Sequence, residues 1–152
     1  MSRISKDQYF INIVKEVKMR ASCCRNQVGC VLVDHLGHIA STGYNGPAAG
    51  TPNCTSNSPC HPEALESSNK SFTKCEAIHA EQNALLQCSN VYEIHTCYVT
   101  WSPCLTCVKL LLNTTCCRIV FVDEYHSAKD AKDLWIKAKG KENWIHSKEE
   151  KI

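Results

Sequence analysis

The chain has 152 residues, of which 43% are hydrophobic and 21% charged, and its net charge is +2. This composition excludes an intrinsically disordered chain, and the length fits one domain with a core of its own, residues 1–152. No run reaches the roughly 20 apolar residues of a membrane-spanning helix, and the polar residues 1–7 do not resemble a secretory signal. We therefore expect a cytoplasmic protein that does not contact membranes.

The charges and the cysteines narrow the class of protein further. Basic residues are scattered along the chain, which disfavours a partner such as a polynucleotide but leaves enough cations for a small anionic ligand. The twelve cysteines of an intracellular chain more often bind metal or pack in the core than form disulfides. We expect these to be buried as small hydrophobic residues: Cys30, Cys88, Cys97, Cys116 and Cys117.

The first half of the chain predicts one helix and a hairpin. Apolar residues at helical spacing indicate a helix from Ser5 to about Ala21. Two β-rich segments, 28–33 and 38–42, flank a turn sequence that suits an antiparallel hairpin. Segment 43–75 then lacks periodicity and is rich in Gly, Pro, Asn, Ser and Cys. A loop of this length is usually functional or held by a metal ion.

The second half alternates between helix and strand. The predicted segments are helices 76–88, 104–113 and 127–138 and strands 98–101 and 118–122. This order predicts a partly parallel sheet that is covered by helices on both faces. The charged tail, residues 139–152, contains Trp144 and Ile145, which suit a last short strand.

Two short motifs carry the chemistry: His79-Ala80-Glu81 and, downstream, Pro103-Cys104-Leu105-Thr106-Cys107. An imidazole and two thiolates fill three tetrahedral positions of Zn²⁺ and leave the fourth for water, whereas a structural zinc site closes all four. On a helix Glu81 would point about 200° away from His79, so we expect it to face the water rather than the metal, unless the backbone there is at a helix start. Zinc and such a carboxylate together can activate water for hydrolysis. The alternative is a structural zinc site with Glu81 as an ordinary surface charge.

The same motifs resemble the signature of zinc-dependent nucleobase deaminases. Segments 28–33, 41–46, 79–84 and 98–100 narrow this resemblance to the deoxycytidylate (dCMP) deaminases of bacteria and phages. The resemblance implies a three-layer α/β/α cytidine deaminase-like fold with a mixed five-stranded sheet, and a homo-oligomer, often a hexamer. It also implies hydrolysis of dCMP to dUMP and ammonia, which supplies dUMP for dTMP synthesis, in the host cytoplasm if the protein is viral.

The resemblance assigns roles to individual residues. His79, Cys104 and Cys107 would hold the catalytic zinc, and Glu81 would carry protons between water and the cytosine ring. The implied substrate contacts are Asn45, Ala80 and Tyr125. A turn residue and a packing aromatic are the alternatives for Asn45 and Tyr125. Candidate phosphate partners are Arg25, Lys74 and Arg118, each of which is also consistent with a solvated surface charge.

A second, structural zinc is expected at the long loop. Cys23 and Cys54 match by position a structural zinc site that many relatives carry. Cys60 and Cys75 are our choice to complete the site, with His61 as a substitute, because four ligands would close it and hold the loop. Free thiols are the alternative. Pro47 directly follows Gly46, which departs from the usual family loop and leaves its path open.

Regulation and rival activities remain open at this point. Relatives are often activated by dCTP, with Mg²⁺ as a possible companion ion, and inhibited by dTTP. A related deaminase of cytidine, guanine or tRNA adenosine is the closest alternative activity. A zinc-binding module without turnover is the alternative from another class, and Glu81 distinguishes it from an enzyme.

Overall fold

The computed structural model describes residues 2–61, 75–125 and 127–149. The α-helices of these residues are α1 Lys6–Val17, α2 Ala80–Gln87, α3 Leu105–Leu112 and α4 Lys129–Lys139. The strands are β1 Gly29–Asp34, β2 Ile39–Tyr44, β3 Gly46–Pro47, β4 Ala77–Ile78, β5 Ile94–Trp101, β6 Arg118–Asp123 and β7 Trp144–His146. No helix in this part of the chain is both long and apolar enough to cross a bilayer.

Five strands form one mixed sheet in the order β2-β1-β5-β6-β7. Strand β1 is antiparallel to both β2 and β5, and β5, β6 and β7 run parallel to one another. The predicted hairpin and the predicted last strand at Trp144 and Ile145 are therefore both confirmed. Strands β3 and β4 pair with each other in a separate small sheet.

Helices cover both faces of the large sheet. On one face Phe10, Ile11 and Val14 of α1 pack against Val31 and Val120. On the other face the buried residues come from α2, α3 and α4 together with the sheet, among them Ala84, Leu111, Trp135, Leu32 and Phe121. Together with the strand order, this arrangement confirms the predicted three-layer α/β/α fold.

Several predicted boundaries differ from those of the structure. Helix α1 ends at Val17 and continues only as a 3₁₀ turn to Arg20. The helix predicted from residue 76 begins at Ala80, because Ala77–Ile78 pairs with Gly46–Pro47 instead. Strand β2 extends to Tyr44, so the first two residues of the predicted loop belong to the sheet.

The predicted burial of the cysteines is correct for three of the five positions. Cys30, Cys97 and Cys116 are fully buried, and they lie in the core between the sheet and helices α2 to α4. Cys88 and Cys117 are only partly buried. Cys88 directly follows α2 and Cys117 directly precedes β6, so both lie outside the elements that form the core.

Candidate active site

Two helix starts bring the predicted zinc ligands together. His79 is the N-cap residue of α2, and its extended backbone N–H donates a hydrogen bond to Oε1 of Gln82 at 2.9 Å. Cys104 is the N-cap residue of α3, and Cys107 lies in the first turn of that helix. The helix predicted over 76–88 would contain His79, but α2 begins at Ala80, so His79 lies just before the helix. The N-terminus is the positive end of a helix dipole, so each of these two helix starts favours a thiolate.

The three ligand atoms have the spacing of a zinc site. Nδ1 of His79 lies 3.5 Å from Sγ of Cys104 and 3.4 Å from Sγ of Cys107. Zinc–sulfur and zinc–nitrogen bonds of ordinary length would place two tetrahedral ligands about 3.6 Å apart. The donor set therefore fits three ligands of one tetrahedral ion. We call His79, Cys104 and Cys107 the helix-start triad.

Hydrogen bonds within this triad shift the pKa values of the two cysteines in opposite directions. The side-chain hydrogen bond from Cys107 lowers the pKa of Cys104 to about 4, and the same contact raises the pKa of Cys107. The hydrogen bond with Cys104 also raises the pKa of His79. Cys104 is therefore a thiolate at neutral pH, which is the form that binds metal.

Glu81 lies beside the triad and is only 4% exposed. Burial raises the pKa of its carboxyl group, while a hydrogen bond with Cys107 opposes that rise. A carboxyl group whose pKa is shifted toward the working pH is suited to accept a proton and to return it. Glu81 and His79 line the same cavity, but His79 lies before the helix, so the predicted separation of about 200° on one helix does not apply.

That space is a cavity of about 660 Å³. Its volume lies within the range of small-molecule sites in proteins. The polar and aromatic residues that line it include His79, Glu81, Cys104, Arg25, Asn26, Asn45, Trp101, Ser102 and Tyr125, and Ala80 lines it as well. All three predicted substrate contacts, Asn45, Ala80 and Tyr125, thus face the cavity that holds the triad.

Asn45 is buried and supports one wall of the cavity. Its Oδ1 accepts a hydrogen bond from the N–H of Val28 at 2.8 Å, and its Nδ2 donates to the carbonyl of Asn26 at 2.8 Å. An amide oxygen has a second lone pair and an amide nitrogen a second hydrogen. Asn45 therefore fixes the backbone of residues 26–28 and retains hydrogen-bonding capacity of its own.

The three candidate phosphate partners have different surroundings. Arg118 lies next to α1, where its Nη2 contacts Oδ2 of Asp7 at 2.9 Å, and it does not line the cavity. Arg25 does line the cavity. Lys74 lies outside the described residues. Of the two arginines, only Arg25 is placed to contact a ligand beside the triad.

The cysteines of the predicted second zinc site lie differently from expectation. Sγ of Cys54 lies 3.5 Å from Sγ of Cys24, and it also accepts a hydrogen bond from the N–H of Cys60 at 3.3 Å. Cys23 instead accepts a hydrogen bond from the N–H of Asn26, and both Cys23 and Cys75 line the active-site cavity. We call Cys24, Cys54 and Cys60 the loop thiols.

Burial keeps two of the loop thiols protonated at neutral pH. It raises the pKa of Cys24 to about 11, and it raises the pKa of Cys60 as well. Among the described residues, the helix-start triad is the group of three ligand atoms that lie within 4.8 Å of one another. The four predicted ligands of the second site are not gathered as closely.

Sequence reasoning missed Cys24, Asn26, Trp101 and Ser102. Trp101 and Ser102 directly precede Pro103, so their proximity to the cysteine motif was an available signal. Cys24 is adjacent to Cys23, and no pattern in the sequence distinguishes which of the two faces Cys54. Asn26 has no local signature, because its place in the cavity wall depends on Asn45.

Comparison with known proteins defines the class to which this fold and this triad belong. The family model described as the cytidine and deoxycytidylate deaminase zinc-binding region matches residues 4–123. The chain belongs to this family.

Individual relatives narrow the class to the deoxycytidylate deaminase type. The chain is 37% identical over 132 residues to the deoxycytidylate deaminase of Mycobacterium phage D29, with 82% of this chain and 99% of that protein covered. It is 32% identical over 133 residues to the deoxycytidylate deaminase of Saccharomyces cerevisiae, covering 86% of this chain and 42% of that protein. The predicted resemblance to phage-type deoxycytidylate deaminases is confirmed.

A solved structure supports the fold. The dCMP deaminase of the cyanophage S-TIM5, in complex with dCMP and dUMP, superposes with a TM-score of 0.70 at 21% sequence identity. The match covers 96% of this chain and 97% of that one. At this identity the likeness shows the shared fold.

Proposed function

We propose that the protein is a zinc-dependent hydrolase that converts dCMP to dUMP and ammonia. The observation that carries this proposal is the buried carboxyl group of Glu81 beside a three-ligand cluster, at the end of a cavity of nucleotide size. The names of the relatives that cover most of this chain support the substrate.

The helix-start triad would hold the catalytic zinc. Its two sulfurs and one nitrogen, spaced as tetrahedral ligands, fit this ion. A zinc ion bound there would lower the pKa of a water in its fourth position toward neutrality.

Glu81 would move the protons of the reaction. Its carboxylate accepts a proton from the attacking water, whose oxygen forms the new bond to C4 of the cytosine ring. The carboxyl group then donates this proton to N3 of the ring. The carboxylate next accepts the remaining proton of the same water, from the new hydroxyl group on C4, and passes it to the amino group as the bond from C4 to that nitrogen breaks. Ammonia leaves, and the ring retains the oxygen as the carbonyl of dUMP. Burial, which raises the pKa of Glu81, favours the proton-carrying form that these donations need.

The remaining lining residues would orient the nucleotide. Asn45 has amide capacity left for the sugar or the base, and Ala80 lies between the metal ligand and Glu81 in the cavity wall. Arg25 is the candidate for the phosphate, because an arginine lining the cavity can contact phosphate oxygens bidentately. Tyr125 lines the same cavity.

Charge argues against the rival deaminase that acts on tRNA. An enzyme that binds an anticodon loop needs a broad basic surface, and a net charge of +2 with scattered cations does not provide one. Free cytidine and guanine remain alternative substrates that the assay below tests directly. A structural zinc module has no use for a buried carboxyl group beside an open metal position.

We also propose a structural zinc at the long loop. Cys54 and Cys60, which are already in contact, are the core of this site. Cys23 and Cys75 were the predicted further ligands, but Cys24 is the thiol that contacts Cys54, so Cys24 is the stronger candidate. Metal binding would deprotonate these thiols and release protons.

Regulation and assembly are the last parts of the proposal. A second cavity of about 900 Å³ shares Cys23, Arg25 and Asn26 with the lining of the active-site cavity, and Arg20 lines it as well. It has the volume and the cations for a nucleotide effector such as dCTP, with Mg²⁺, or dTTP. A homo-oligomer, with six subunits as the expected number, and a cytoplasmic location remain predictions.

One assay tests the activity and its rivals. Purified, zinc-loaded protein is offered dCMP, CMP, deoxycytidine, cytidine and guanine, each with and without dCTP, and ammonia release is followed. We expect turnover of dCMP well above that of the others. Turnover of another base alone would transfer the activity to that substrate, and no turnover of any of them would leave the zinc-binding module as the better account.

A further inference from the structure

Tyr125 is held at three points in the wall of the active-site cavity. Its backbone N–H donates a hydrogen bond to Oγ of the fully buried Ser102 at 2.9 Å. Its ring packs against Trp101, with 4.9 Å between the ring centroids. Its hydroxyl oxygen accepts a hydrogen bond from Nδ2 of Asn26 at 3.3 Å.

The direction of the last hydrogen bond determines what Tyr125 can offer a ligand. A phenol has one hydrogen to donate and an oxygen that accepts, and the amide nitrogen of Asn26 can only donate. Because Asn26 occupies the oxygen as acceptor, the hydroxyl hydrogen is left to point elsewhere. Burial raises the pKa of Tyr125, so the hydroxyl keeps this hydrogen at neutral pH.

Asn26 is itself fixed independently of its side chain. Its backbone carbonyl accepts a hydrogen bond from Nδ2 of Asn45 at 2.8 Å, and both residues line the cavity with Tyr125. Removing only the side-chain amide of Asn26 would therefore leave the wall anchored. The amide of Asn26 is available to orient the hydroxyl group.

From this geometry we infer that Asn26 is a positioning residue that fixes Tyr125 as a hydrogen-bond donor to an oxygen of the substrate's sugar or phosphate. The inference rests on the proposed function and on the substrate contact expected for Tyr125, and it adds the positioning role of Asn26. A contact remote from the reacting C4 atom strengthens ground state and transition state alike, so its loss should raise KM and leave kcat nearly unchanged.

The test is a double-variant cycle with Asn26→Ala, Tyr125→Phe and both together. For dCMP we expect each single variant to raise KM about tenfold, the cost of one hydrogen bond, and the double variant to raise it no further. Asn113→Ala is the matched control, since Asn113 is exposed and lines neither this cavity nor the second one. Unchanged melting temperatures would exclude misfolding as the cause.

Two results would overturn the inference. An additive loss of about a hundredfold in the double variant would mean that Asn26 acts without Tyr125. An unchanged KM in Tyr125→Phe would mean that the hydroxyl group gives nothing to the substrate. Deoxycytidine identifies the acceptor: a loss confined to dCMP assigns it to the phosphate, and an equal loss with both assigns it to the sugar.

Binding of dUMP by calorimetry, on the same proteins, separates this inference from the proposed function. Wild-type protein that binds dUMP, with an affinity that falls in both single variants, but does not turn over dCMP would defeat only the proposed function. Turnover that neither variant affects would defeat only the inference. Protein that neither binds nor turns over these nucleotides counts against both.

Discussion

The helix-start triad and the loop thiols are both clusters of metal-binding side chains, but they are built in different ways. His79 and Cys104 are N-cap residues, so the backbone of two helices that pack on the sheet determines their positions. The loop thiols are linked mainly by contacts with one another, between Cys24, Cys54 and Cys60. The first cluster is therefore preorganised for an ion before the ion arrives, whereas the second depends on the ion for its geometry.

The largest expected effect separates the two clusters by their function. Cys104→Ser should lose one zinc per chain together with all measurable turnover, because a triad reduced to two protein ligands holds the ion poorly. Cys54→Ser should also lose one zinc, but turnover should stay within about threefold while the melting temperature falls by about 5 °C or more. Zinc content by plasma emission, ammonia release and thermal melts on the same samples check this. Loss of turnover in both variants, with equal zinc loss, would show that the two clusters do not differ in function.

A smaller effect is expected from moving the triad without altering its ligands. Gly43 of β2 lies against α2, where an added Cβ would lie 2.4 Å from the carbonyl oxygen of Ala80 and the nitrogen of Ala84. Gly43→Ala should therefore displace the start of α2, lower turnover about a hundredfold and destabilise the fold by about 2 kcal/mol. The second zinc should remain.

The matched control for that displacement is Gly46→Ala, where a Cβ would be 3.4 Å from its nearest neighbour, the Cβ of Ser22. We expect turnover within about threefold of wild type in this variant, since ordinary contact distances require little movement. Equal turnover of the two alanine variants would show that the triad is not positioned through the contact between β2 and α2.

The smallest effect is expected from a change at Asp7, which lies on the opposite face of the sheet. This change should alter neither metal-binding cluster. Asp7 of α1 accepts hydrogen bonds from Arg118 and from the hydroxyl of Tyr98. Burial raises the pKa of Asp7, but these hydrogen bonds outweigh it and leave the pKa below its ordinary value. A lowered pKa stabilises the fold above the unfolded-state value and loses that contribution as the pH falls through the folded-state value.

Asp7→Asn should accordingly reduce the free energy of unfolding by about 1 kcal/mol at pH 7, since this ion pair is partly exposed to solvent. The difference from wild type should shrink below about pH 4. Chemical denaturation across that pH range measures it, with zinc content and turnover expected to match wild type. A difference that is constant with pH would mean that the charge of Asp7 is not what stabilises the helix.

The contrast between the two clusters also explains how much the sequence could predict. The triad was predictable because each ligand sits in a short motif at a helix start, where local sequence determines the geometry. Cys24 was not predictable, since the choice between it and Cys23 depends on the backbone path after the 3₁₀ turn that ends at Arg20. A short motif predicts the geometry of a helix start, but it does not predict the contact of Cys24 with Cys54, which comes from a separate segment of the chain.

Pairings between distant segments limited the rest of the prediction. Ile78 fits the apolar spacing of the predicted helix 76–88, yet its backbone pairs with Gly46, more than thirty residues earlier in the chain. Because of this pairing, α2 begins only at Ala80. The role of Asn26 likewise depends on Asn45 and Tyr125, which come from two other parts of the chain. The order of the α-helices and of the strands of the large sheet, in contrast, followed from hydrophobic periodicity together with turn and helix-breaking residues. The five-stranded fold that the resemblance implied was correct.

The most direct test of the central claim compares wild-type protein with Glu81→Gln. We expect the variant to keep the wild-type zinc content and folding, because Glu81 is not a zinc ligand, while turnover of dCMP falls by about a thousandfold or more. A variant that loses zinc or unfolds would contradict the account and make Glu81 structural. Turnover close to that of wild type, with zinc retained, would remove Glu81 from the chemistry altogether.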